Sequence, residues 1–255
     1  MEATETILTA RDVHRAFGGL QAVDGATFNA LRGRITGLIG PNGAGKSTLM
    51  GIIAGAIRAD AGAIEFDGAD VTGLPSHQIA RRGIIRTFQL SAEFSKLTVL
   101  ENLLVAAPGQ KGESLFGAEL GRLYWGRDED ALVDRARDVL DRFAMSPKED
   151  EPAGNLSGGQ KRLLEIMRAL MAHPKLLLLD EPFAGVNPTL AREIEQYLVG
   201  LRDEGLSMIM VEHELSVVER LCDPVVVMAQ GRVIAEGPMR EVTARPEVLD
   251  AYLIG

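Results

Sequence analysis

Hydrophobic and polar positions alternate through residues 7–39, broken by glycines, which predicts several short strands ending in the apolar run Ile35–Ile39. The glycine-rich run Gly40–Gly45 follows, and Lys46–Ala54 then reads as a helix. Strand, glycine loop, helix is the opening of a βαβ unit. Further strand-like runs lie at Ala63–Phe66, Leu176–Asp180, Met208–Val211, Val225–Met228 and Val233–Ala235. Leu176–Leu179 has no polar position, as expected of a strand covered on both faces in the middle of a parallel sheet. The pattern changes between residues 91 and 172, where strand signals are few. Leu132, Ala136, Val139, Leu140 and Phe143 fall on one helical face, with Asp134, Arg135, Asp138 and Asp141 outside it. Residues 108–127 are glycine-rich, hold the only tryptophan, Trp125, and read as a loop or short helices. The chain therefore reads as one α/β domain, with a core at about 1–90 and 173–255 and a mostly helical insert at about 91–172. There is no internal repeat and no low-complexity tract.

Composition narrows the class. The 255 residues are 46% hydrophobic, 5% aromatic and 25% charged, ordinary for a folded domain with a sizeable core. With 27 Lys+Arg against 36 Asp+Glu the net charge is −9, which argues against a nucleic-acid partner. No apolar run approaches the roughly 20 residues of a membrane span. Met1–Thr6 holds two glutamates and no basic start, so it does not read as a signal peptide. The single cysteine, Cys222, forms no internal disulfide and builds no zinc site alone, which fits a reducing cytosol.

Three strings carry chemistry. Gly40-Pro41-Asn42-Gly43-Ala44-Gly45-Lys46-Ser47-Thr48 matches G-x-x-x-x-G-K-[ST]. Its glycines let backbone amides curl around phosphate oxygens, Lys46 adds positive charge at the terminal phosphates, Ser47 offers a hydroxyl to Mg²⁺, and the following helix points its positive end at the phosphates. A glycine-rich turn capping a helix would show the same glycines; the apolar strand before it favours nucleotide binding. In Leu176-Leu-Leu-Leu-Asp180-Glu181 an apolar strand ends in two acids, at the sheet edge where α/β folds bind ligands. Asp180 would hold Mg²⁺ through water, and Glu181 would polarise an attacking water as general base. Leu156-Ser157-Gly158-Gly159-Gln160 places an N-cap serine and two glycines at the start of a helix expected over Lys161–Ala172. That pentapeptide arises by chance in well under about one in a thousand such chains.

Taken together, in this order and spacing, these strings resemble the ATP-binding-cassette (ABC) ATPases along essentially the whole chain. The resemblance implies a P-loop NTPase (RecA-like) α/β core with an antiparallel β subdomain and a helical subdomain bearing the signature Leu156–Gln160. It implies that the signature, through Ser157, Gly158, Gly159 and Gln160, contacts the γ-phosphate of an ATP held on Lys46 of a second subunit, in a head-to-tail homodimer or a heterodimer with a paralogue. It further implies that Phe17 stacks on adenine, that Gln89 in Arg86-Thr-Phe-Gln89 reaches Mg²⁺ or the attacking water, and that His213 in Val211-Glu-His213-Glu bonds the γ-phosphate and fixes the water. The implied cofactors are ATP and Mg²⁺. The chain departs from the family at Asn187, where many members carry Asp.

Within the family, Phe17-Gly-Gly-Leu20, Arg86–Gln89, Leu97–Asn102, the 108–127 insertion and Pro246–Leu253 resemble the ATPase subunits of branched-chain amino acid importers. Urea and amide importers share this type, and the lipopolysaccharide-export ATPase is close around Asp180–Gly185. The resemblance implies separate integral-membrane permease subunits, an extracytoplasmic solute-binding protein reached only indirectly, and a cytoplasmic protein attached peripherally to the inner face of the membrane. A phosphate-transferring kinase would use the same loop without needing the signature. Non-transport cassettes usually carry long coiled coils, paired cassettes or basic patches, none of which stands in this chain.

Overall fold

The structure, a computed structural model, describes residues 5–87, 94–108 and 122–253. The chain divides into two compact units: one of residues 1–87, 174–184 and 192–255, the other of residues 88–173 and 185–191. The stretch 185–191, which follows Glu181, thus groups with the helical unit and not with the sheets.

The first unit holds all ten strands found among the described residues. Strands β1 (Thr6–Phe17) and β2 (Leu20–Leu31) pair antiparallel, and with β4 (Ala61–Phe66) and β5 (Ala69–Asp70) they form a four-stranded sheet in the order β2-β1-β4-β5. Where several short strands are expected, the chain forms two of twelve residues each. The cause is local: the register slips between Ala10 and His14, and Asp12 and Gly25 adopt positive φ, so bulges break the alternation without ending the strand.

A second sheet carries the chemistry. Strands β3 (Ile35–Ile39), β6 (Ile84–Arg86), β7 (Leu176–Asp180), β8 (Ser207–Val211), β9 (Val225–Ala229) and β10 (Arg232–Gly237) lie in the order β10-β9-β3-β8-β7-β6. All neighbours are parallel except β10, which runs antiparallel to β9. Every residue of β3, β7, β8 and β9 is buried, as both-face coverage requires. Each of the four leucines of β7 is fully buried and contributes about 1.5–3 kcal/mol of hydrophobic stabilisation. Val211 pairs with Leu38 on one side and Asp180 on the other. The loops that follow β3, β7 and β8 therefore leave the same sheet edge, about one strand spacing apart.

The second unit contains the helices Val99–Ala106, Arg122–Arg142 and Gly158–Met171. Thr98 and Glu101 form a capping box at the first of these. Asn102 is fully buried and bonds the backbone of Phe94, Leu97 and Thr98, which fixes the turn before its own helix. Ala136, Leu140 and Phe143 are buried, the face that the periodicity selects. Among the described residues no helix is long and apolar enough to cross a membrane.

Candidate active site

The phosphate loop is held by backbone collisions that only glycine avoids. A Cβ on Gly40 would sit 2.0 Å from the Met228 carbonyl oxygen, and one on Gly45 would sit 2.2 Å from that of Ala22; both residues have positive φ. Pro41, Asn42, Gly43 and Ala44 lie between them, and the Gly231 amide donates to the Ala44 carbonyl at 3.0 Å. The helix Lys46–Ile53 begins at Gly45, which offers no side chain to the first-turn amides. Those amides and the helix dipole form an anion seat. Ser47 is exposed and Thr48 half-buried in that first turn. The Lys46 ammonium donates to the carbonyls of Gly40 at 2.8 Å and Pro41 at 3.0 Å, folding back across its own loop. Burial holds its pKa below the usual lysine range, against the opposing charges of Glu181 and Asp180. On the far flank of the loop the helix Pro246–Leu253 lines one pocket with it through Glu247, Asp250 and Ala251. Nothing in the sequence pattern signals that neighbour.

Across the sheet edge, Glu181 has φ +49°, strained for a non-glycine residue. Its amide donates to the Val211 carbonyl at 3.0 Å. Its carboxylate lies 3.1 Å from His213 Nε2. The two residues expected to act on water and γ-phosphate are thus brought together, although 32 positions separate them in sequence. Between their two turns stands Glu212, 6% exposed, which sequence reasoning passed over. Its carboxylate accepts the Phe183 amide at 3.1 Å and the His213 amide at 3.2 Å. Burial pushes Glu212 above the usual carboxylate range, and the nearby Glu181 charge adds to the shift; the two amides and His213 oppose it.

Asp180 is fully buried, with Oδ2 accepting from Arg86 Nη2 at 2.7 Å and Oδ1 without a partner among the described residues. Among the described residues no group of three or more His, Cys, Asp or Glu could hold a metal. A hard divalent ion would therefore rest on few protein oxygens, the unpartnered Asp180 Oδ1 and the exposed Ser47 hydroxyl, completed by oxygens of a nucleotide. The residues present fit that arrangement.

Phe17 is 45% exposed at the end of β1, so it is not a core residue, and Arg15 lies over its ring at 4.5 Å. In the helical unit Ser157 caps the helix Gly158–Met171 through a reciprocal pair with Gln160, and the helix starts three residues earlier than its periodicity predicts. The two glycines differ. Gly158 faces open space, whereas a Cβ on Gly159 would come 2.3 Å from Leu190 Cδ2, the tip of a side chain that can turn aside. Asn187 caps the helix Pro188–Asp203, its Oδ1 accepting the amides of Thr189 and Leu190. That explains why Asn serves where an acid is common. Gln89 lies outside the described residues, as does most of the 108–127 insertion.

Comparison with known proteins settles what this edge belongs to. The ABC transporter family model matches residues 23–184. The chain is an ATP-binding cassette of the ABC transporter family. As such it hydrolyses ATP. The cassette is 42% identical to the probable branched-chain amino acid transport ATP-binding protein LivG of Archaeoglobus fulgidus, over 97% of this chain and 95% of that one. It is 35% identical to the high-affinity branched-chain amino acid transport ATP-binding protein LivG of Escherichia coli K12, covering 98% of each. Among solved structures, a nucleotide-free ATP-binding cassette from an ABC transporter matches with TM-score 0.85 at 37% identity, covering 97% of this chain and 99% of that one. The ADP conformation of another such cassette matches with TM-score 0.84 at 36% identity, over 98% and 99%.

Proposed function

We propose that this cassette powers import of branched-chain amino acids through separate integral-membrane permeases, from the cytoplasmic face of the membrane. The observation that carries the solute class is identity of 35–42% along nearly the full length to proteins named for that transport. In this reading Lys46 and the amides of Gly40–Thr48 hold the phosphates, Phe17 stacks on adenine, and Ser47, Asp180 and Gln89 hold Mg²⁺. When bound, the ion neutralises phosphate charge. Glu181 acts as general base on water, and His213, at 3.1 Å from it, keeps that carboxylate aimed and bonds the γ-phosphate. Ser157, Gly158, Gly159 and Gln160 of a second cassette, a copy or a paralogue, close over each nucleotide; capping amides and helix dipole make that helix start a seat for anionic oxygens. Closure then depends on ATP, and hydrolysis releases it. Solute recognition belongs to the permeases and to an extracytoplasmic binding protein.

The test is co-purification of the chain with its permeases in detergent, followed by reconstitution with the binding protein and uptake of radiolabelled leucine. ATP-dependent leucine accumulation supports the proposal. Hydrolysis coupled to movement of lipid out of the membrane, with no leucine uptake, replaces it with the export alternative. Recovery with soluble partners alone removes the transport role from this chain.

A further inference from the structure

We propose that Arg86 is a built-in counterion for Asp180 that makes metal loading conditional on nucleotide. The inference rests on the reading that Asp180 faces the metal. Arg86 ends β6, whose register against β7 pairs Arg86 with Leu178, two residues before Asp180. Its guanidinium therefore reaches Asp180 from the neighbouring strand, at 2.7 Å. The Arg86 side chain is 19% exposed and that of Asp180 0%. A charge so deep requires a partner or leaves a large desolvation penalty. Among the described residues Lys46 forms no hydrogen bond or ion pair with Asp180, and its ammonium donates to the Gly40 and Pro41 carbonyls.

The pairing is one-sided. Arg86 engages Oδ2 alone, and among the described residues Oδ1 stays buried without a partner. The guanidinium also borders the helix after the phosphate loop, where a Cβ on Gly51 would lie 3.5 Å from Arg86 Nη1. Arg86 thus stands between that helix and Asp180, beside the oxygen a metal would take. A divalent cation arriving alone meets a carboxylate whose charge is already balanced and a fixed positive charge a few ångströms away. A cation arriving on a triphosphate brings its own compensating anions. The free carboxylate oxygen can then accept it, or a water it carries, without displacing Arg86.

The experiment titrates Mn²⁺, read by electron paramagnetic resonance, into the full chain with and without a non-hydrolysable ATP analogue, for wild type, R86M, R86K and D180N. We expect wild type to take Mn²⁺ at this site only with the nucleotide. R86M should bind Mn²⁺ about tenfold more tightly in the presence of nucleotide, a fraction of the repulsion removed, and detectably without it. R86K, which keeps the charge, should stay near wild type. Equal or weaker Mn²⁺ binding by folded R86M overturns the proposal. Should R86M fail to fold, R86Q takes its place with the same expectations, and the thermal-midpoint gain on adding Mn²⁺ with nucleotide must exceed the wild-type gain. D180N separates the two readings. Unchanged Mn²⁺ binding in D180N defeats the metal assignment itself, whereas weakened binding in D180N without tightening in the Arg86 variants defeats only the counterion.

Discussion

Replacing Glu212 by Gln separates two effects that the structure ties to one carboxylate. The wild-type group accepts the amides of Phe183 at 3.1 Å and His213 at 3.2 Å. Glutamine keeps the length but has one acceptor oxygen, so one amide meets an NH₂ group instead. A hydrogen bond to a charged group is worth about 1.5–3 kcal/mol, and a buried amide left without a partner costs about 1–3 kcal/mol. Those amides hold the turns that aim Glu181 and His213 at each other. Misplacing such a pair by about 1 Å costs on the order of a hundredfold in rate. We therefore expect E212Q to lose about ten- to a hundredfold in kcat for ATP hydrolysis, with KM for ATP within about twofold of wild type. Stability should respond differently. Glu212 has its folded pKa raised by burial. Between the ordinary carboxylate value and that raised value, the folded state keeps a proton the unfolded state has released. The residue's contribution to stability therefore falls as pH rises through this window, and glutamine does not titrate. The urea midpoint of E212Q relative to wild type should accordingly climb with pH across the window and then level off. Phosphate release at saturating ATP and urea melts at several pH values measure both. An unchanged kcat, or a kcat loss matched by a rise in KM, refutes the positioning argument.

Lys46→Ala removes the cation of the phosphate loop, and nucleotide affinity should fall at least roughly tenfold in a fluorescent-nucleotide titration. Cys222 is buried, with its thiol pushed up to about 12, so the native protein should resist iodoacetamide at mildly alkaline pH and react rapidly once unfolded in guanidinium. Leu178→Ala, in the fully buried β7, should cost about 2–5 kcal/mol in a denaturant melt while leaving every phosphate-binding group in place.

The parts of the molecule written as contiguous strings were legible before any coordinates. The phosphate loop, β7 with its two acids and the Ser157 cap each rest on residues close in sequence, where local rules apply. Strands β3 and β7–β9 stood out because burial on both faces leaves an unbroken apolar run. Strands β1 and β2 read as shorter pieces because bulges at Asp12 and Gly25 reset the alternation. Glu212 and Arg86 were not legible as functional residues, since each acts through a partner set by strand pairing: Phe183 lies 29 positions from Glu212, and Asp180 lies 94 positions from Arg86. A lone acid after an apolar strand looks like a solvated strand end, and only the sheet order shows that it is covered. The closeness of Gly159 to Leu190 is likewise a tertiary fact.

We assign to Glu181, held against His213 at the edge shared by β3, β7 and β8, the activation of the water that attacks ATP. Its most direct test is phosphate release by Glu181→Gln beside nucleotide binding by the same preparation. ATP should still be bound while phosphate release at saturating ATP falls by on the order of 10²–10⁴-fold. Hydrolysis at the wild-type rate would contradict this assignment and move the general base to another group.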